Sequence, residues 1–225
     1  GLTINSDATP GLMSLNGVNT FTGPTAVNGW LQVNGSLDAA SAVTVASGGL
    51  LLGNGTINGS VTINANGNAG AGGLFAAGTL TVNNAVNLTG ALLHVDLSAT
   101  TAGVNDLLVV NGDLNLSGTT TVSVTPLAST LATGTYRLIN YTGALTGSTA
   151  NLVAAPSRYT LAFDTATPGH VNLIVADGPP ASLVWKGENM LNLWDLTTAN
   201  WLNGANPDTF RNGDHVRFDD SGGNL

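Results

Sequence analysis

The stretch AVTVASGGLLLGNGTINGSVTINANG, residues 42–67, decides the fold. It repeats Val-Thr-Val, Leu-Leu-Leu, Thr-Ile and Val-Thr-Ile between Gly and Asn corners and carries no charged side chain. β-branched residues in alternation favour strands, and Gly and Asn tolerate the positive φ of tight corners. Residues this apolar and this regular are not a disordered tail, because disorder needs low hydrophobicity and high charge.

The same pattern extends outward as TAVNGWLQVNGSL before this stretch and TLTVNNAVNL after it. Aligned on one apolar residue per unit, it gives Val27, Val45, Ile63 and Val82, spaced by 18, 18 and 19 residues. A fixed period near 20 is the mark of a solenoid, in which each unit buries its apolar face only against its neighbours. The expected fold is all-β, a right-handed parallel β-helix of six or seven rungs with inward Val, Ile and Leu and outward Thr and Asn.

Composition agrees. Of 225 residues 43% are hydrophobic and only 8% charged, against about 25% in ordinary domains. Residues 1–135 hold five Asp, three aromatics (Phe21, Trp30, Phe75) and no Lys or Arg, the first base being Arg137. The net charge of −8 therefore reflects missing bases, which argues against nucleic acid or anionic membrane as partners. Cysteine is absent, removing disulfides and thiol chemistry. No run of 18 apolar residues and no leader-like start is visible, so membrane insertion is not expected.

Four segments follow: β-helix rungs over 1–135, terminal rungs and an aromatic cap over 136–176, a linker at 177–182, and a small Trp-containing β module or donated connector over 183–225. Within the cap, Tyr159, Leu161 and Phe163 alternate on one expected strand and Val171, Leu173 and Val175 on the next, either side of a Pro-Gly turn. A solenoid end needs such a cover for its open core and strand edges.

The residues also carry a family resemblance. NTFTGPTAVNGWLQVNGSL followed by VTVASGGLLLGNGTINGSVTI resembles the autotransporter-associated β-strand repeat. DLLVVNGDLNLSG and GTYRLINYTGALTG are similar to the segment that commonly follows it in large bacterial surface proteins, so the resemblance covers about residues 15–175. The segment LVWKGENMLNLWDLTTANWLNG resembles another module of the same class. The resemblance implies a β-helical, exported protein of the cell surface or extracellular space.

Chemistry is sparse. A glycan-active β-helix would need paired carboxylates or a clustered-acid cation site. Asp96 and Asp113 are the one pair to consider, and His94, two residues before Asp96, shares its strand face. Asp214, Asp219 and Asp220 are the weak Ca²⁺ candidates, and no other cofactor is expected. His170 is expected to face solvent, and His215 sits among charges. Leu2, Ile4, Trp185, Trp194, Trp201, Val216 and Phe218 are the candidate interface residues; the three Trp are read as the core of the small module in preference to a sugar-stacking strip. The expected function is non-enzymatic and structural, a self-partnering unit stacking head to tail into a fibre. The alternative is a monomeric passenger or stalk of an adhesin meeting a host or matrix glycan or protein. A polysaccharide-active enzyme comes third.

Overall fold

Alternating Val-Thr-Val triplets can bury one face only if every triplet finds a like neighbour, and the computed structural model shows how they do. It describes residues 1–5, 11–128, 130–155, 157–176, 180–187, 193–211 and 214–219. The chain divides into two compact units, Gly1–Ala176 and Asp177–Leu225. Among the described residues there is no α-helix, and none long and apolar enough to cross a membrane.

The first unit is built of three sheets whose strands alternate in chain order. One stacks Leu2–Ile4, Thr25–Val27, Val43–Val45, Val61–Ile63, Val86–Thr89, Leu114–Ser117 and Leu145–Thr146. The second stacks Leu12–Leu15, Trp30–Val33, Leu50–Leu52, Asn68–Gly70, Leu92–Leu97, Thr120–Pro126 and Leu152–Ala154. The third stacks Val18–Asn19, Ser36–Leu37, Thr56–Ile57, Thr79–Val82, Leu107–Val110 and Gly134–Tyr141. All these pairings are parallel, each strand meeting the one three places on. Such an all-β arrangement of parallel sheets is consistent with a β-helix-like fold.

Register sets the core. In the first sheet Ile4, Val27, Val45, Ile63, Leu88 and Leu116 lie in one column. Leu31, Leu51, Ala69, Leu93 and Val122 form a second, and Leu37, Ile57, Val82 and Val110 a third. All fifteen are buried, and at about 25 cal/mol per Å² of apolar surface such columns dominate the stability of this unit. Outward positions hold Thr44, Thr62, Asn87 and Asn115.

One expectation is corrected. Val82 does not continue the column of Val27, Val45 and Ile63; it belongs to the third sheet, opposite Ile57 and Val110, and Ile63 meets Leu88 instead. The rung lengthens from 18 to 25 residues because residues 71–78 form an excursion, pinned by a Gly53–Gly72 bridge and a Gly73–Ala76 bridge.

The third sheet ends differently. His170–Ala176 pairs antiparallel with Gly134–Tyr141 and with Thr160–Asp164, making a hairpin in which Leu161 faces Val175 and Phe163 faces Leu173. Val171, Leu173 and Val175 are buried, and Tyr159, Leu161 and Phe163 pack against the core.

The second unit is a four-stranded sheet in the order Asn206–Asp208, Trp201–Asn203, Ser182–Trp185, His215–Arg217. Leu183, Trp185 and Trp201 form its core with Ala181, Phe210 and Val216. The Trp185 and Trp201 rings meet edge to face at 4.8 Å. Ser182 opens a strand, and residues 177–179 of the expected linker lie outside the described residues.

Candidate functional site

Leu50 and Leu52 flank inward Leu51 on a three-residue strand, so alternation aims both outward, yet they are 6% and 2% exposed. Something covers them. The Gly/Ala-rich excursion at 71–78 rises beside this face of the second sheet and encloses a cavity of about 450 Å³. Trp30, Leu50, Leu52, Leu74 and Phe75 supply its apolar walls. Asn68, His94, Asp96, Asp106 and Thr125 supply its polar side.

Register explains the opening. Gly70 pairs with His94 and has no side chain to fill the face; a Cβ there would lie 3.1 Å from the His94 carbonyl and 3.2 Å from Leu52 Cδ2. Asp96 pairs with Thr125 on the next rung. His94 and Asp96, two residues apart, share the outward face.

Two buried carboxylates hold the excursion down. Asp106 Oδ1 accepts from the Gly78 N–H at 2.8 Å and its Oδ2 from the Asp96 N–H at 2.8 Å. The Asp96 carboxylate accepts from the Thr125 hydroxyl and the Ala76 N–H. Asp96 and Asp106 are 5% and 4% exposed. Desolvation pushes Asp106 up to about 7, against the pull of its two backbone donors and with a smaller push from Asp96. Desolvation likewise raises Asp96 above the usual carboxylate range.

His94 Nε2 lies 3.2 Å from Asn68 Oδ1. The Asn68 amide nitrogen donates to the Gly49 carbonyl at 3.1 Å, which fixes its orientation and makes His94 Nε2 the donor. Burial lowers the His94 pKa, outweighing the raising effect of Asp96. The ring is then neutral near pH 7, with Nδ1 as an acceptor.

The excursion ends in a strained tip. Phe75 has φ of 58°, an outlier for a bulky residue, and is 77% exposed.

Other sequence candidates fall elsewhere. Asp113 sits at a corner, accepting from the Ala144 N–H at 2.7 Å, and it is Asp106 rather than Asp113 that meets Asp96. Asp214 is engaged by the Ala181 and Arg211 N–H groups, and Asp219 pairs with Arg217 at 2.9 Å. Asp220 lies outside the described residues, among which no cluster of three or more His, Cys, Asp or Glu is placed to hold a metal. His170 is part-buried, its Nδ1 3.0 Å from Asn140 Oδ1, and His215 is exposed. Of the candidate interface residues Ile4, Trp185 and Trp201 are buried at 7%, 7% and 0%, because their own columns and rings cover them. Leu2 and Val216 are part-buried, whereas Trp194 and Phe218 are exposed.

Nothing in the sequence motifs alone marks Asp106, Trp30 and the tip residues as a site. A signal for them existed: two of the three aromatics before residue 136 line this cavity, and the tip falls where the 18-residue spacing breaks.

No family model matches the chain. A curated protein described as an adhesin, the BmaC autotransporter of Brucella suis biovar 1 (strain 1330), is 38% identical over 121 residues. That match covers 52% of this chain and 3% of the relative, so the chain spans a small fraction of the protein it resembles. The likeness and the strand-rich fold are compatible with an autotransporter passenger.

Proposed function

We propose that this chain is a non-enzymatic passenger segment of a bacterial surface adhesin, a right-handed parallel β-helix that holds contact surfaces away from the cell. The observation that carries the reading is the unbroken parallel register of the first two sheets through seven strands each, seen in a chain that is 38% identical to part of an autotransporter adhesin. Right-handed parallel crossovers are the strong physical preference. A coil with aliphatic columns inside and Thr and Asn outside is stiff and chemically quiet, which suits a stalk. No catalytic role is assigned to Asp96 and Asp106, whose carboxylates are occupied by internal donors.

The test is antibody labelling of intact, unpermeabilised cells of the organism that makes it. Staining of intact cells, lost after surface proteolysis, is the expected result. Staining only after permeabilisation overturns the reading.

A second reading, the end-to-end fibre, draws on the first rung, where Leu12, Met13 and Val18 are 39%, 46% and 81% exposed. A further rung would cover them, either of the same polypeptide or of a second copy. Electron microscopy over a concentration series separates the two: filaments lengthening with concentration favour the fibre, and uniform short rods the passenger.

A further inference from the structure

We propose that the cavity on the second sheet is a saccharide subsite for one neutral pyranose unit, its apolar ring face against Phe75 and Trp30 and its hydroxyls donating to His94 and Asn68. The proposal deepens the adhesin reading by naming what one contact surface takes.

The chemistry of the walls selects this class by exclusion. No base lines the cavity, and none occurs before Arg137, so a uronate, sialate, sulfate or phosphate finds no counter-charge and meets Asp96 nearby. An ammonium or guanidinium is held best by an accessible carboxylate, the aromatic faces adding a smaller cation–π attraction. Asp96 and Asp106 are instead at least nine-tenths buried, and four internal donors occupy them: the Thr125 hydroxyl and the Ala76, Gly78 and Asp96 N–H groups. A pure hydrocarbon would strip water from the neutral acceptors of His94 and Asn68 and return nothing. What remains is an uncharged ligand that donates hydrogen bonds from its edge and presents C–H groups from its face. A pyranose does both.

The geometry adds weight. About 450 Å³ lies within the range of small-ligand pockets. Phe75 is held at positive φ and 77% exposed on the rim, a strained aromatic displayed rather than packed; strain of that kind is retained where it has a use. The tip that carries it is tied at Ala76 and Gly78 by the two buried acids, so the rim is pre-organised for binding.

The experiment is a titration of the ¹⁵N-labelled full chain with methyl glucoside, galactoside and mannoside and with maltose, cellobiose and lactose, into the tens of millimolar. The readout is the Trp30 indole and the Gly70, Phe75 and Gly78 amides. N-acetylneuraminate and benzylammonium are run beside them. The expected result is saturable shifts confined to these positions with at least one neutral sugar and with neither ion. Phe75→Gly is expected to weaken that binding about tenfold or more, as loss of an aromatic anchor does, while its thermal midpoint stays equal or rises because glycine accepts the positive φ. Should that variant fail to fold, His94→Gln read by the same titration takes its place, with the same weakening expected. No saturable shift with any neutral sugar, shifts with the ions alone, or unchanged affinity in the variant each overturn the proposal. A surface-exposed protein that binds no sugar sinks this inference and leaves the adhesin reading standing; sugar binding by a protein confined inside the cell does the reverse.

Discussion

Asp106 is where a single residue carries the most consequence, because one carboxylate ties the Gly78 end of the excursion to the strand that bears Asp96. Its folded pKa of about 7 stands above the value of about 3.9 expected when unfolded. Between those values the folded state holds the extra proton, so stability falls as pH rises from about 4 to about 7 and then levels. At about 1.4 kcal/mol per unit the contribution is at most about 4 kcal/mol. Asp96, also raised, acts in the same direction, whereas His94, lowered, weakens the fold as pH drops below about 6.5. The Asp106 part is therefore read as a difference: urea midpoints of wild type minus Asp106→Asn should shrink from pH 5 to pH 8. A difference independent of pH would mean that Asp106 is ionised throughout. None of this was visible beforehand, since the sequence paired Asp96 with Asp113, and only the excursion brings Asp106 beside it.

At the scale of strands and corners, two ladders do work that hydrophobic columns cannot. The Asn111 side chain donates to Asn83 Oδ1 at 2.7 Å, Asn83 donates to Asn58 Oδ1 at 2.7 Å, and Asn58 donates to the Leu37 carbonyl at 2.8 Å. Asn83→Ala removes two of these bonds and should cost about 1–2 kcal/mol, and Asn111→Ala, which removes one, about half as much. Urea unfolding of the two variants checks the ratio. The corner glycines are tighter: a Cβ on Gly35 would lie 2.0 Å from the Gly17 carbonyl oxygen, and one on Gly55 2.1 Å from that of Gly35. Backbone must move to admit either, so Gly35→Ala should destabilise by roughly 2–3 kcal/mol or more, seen as a lower denaturant midpoint. A loss below half that amount would show a corner that can yield. These corners were legible in the sequence as VNGS and GNGT, and the columns as Val27, Val45 and Ile63. Legibility stopped at Val82, because a period reports only rungs of equal length, and an excursion leaves the apolar alternation intact while moving it to another sheet.

For the first unit as a whole, the parallel pairing of each strand with the strand three places on makes stability nearly one-dimensional: a rung feels its two neighbours and little else. Ile63 tests this, being 1% exposed and stacked between Val45 and Leu88. Ile63→Ala removes three buried carbons and should cost about 2–4 kcal/mol. In a nearest-neighbour coil the loss is local, so native-state hydrogen exchange should accelerate in Val43–Val45, Val61–Ile63 and Val86–Thr89. The distant hairpin, Thr160–Asp164 with His170–Ala176, should keep its protection. In a fully cooperative domain every slow amide would speed up by the same factor, and the unit would yield all at once. Local opening would let a damaged rung fray while the rungs around it hold. Exchange rates resolved strand by strand decide between the two, and equal acceleration at the hairpin would exclude the one-dimensional account.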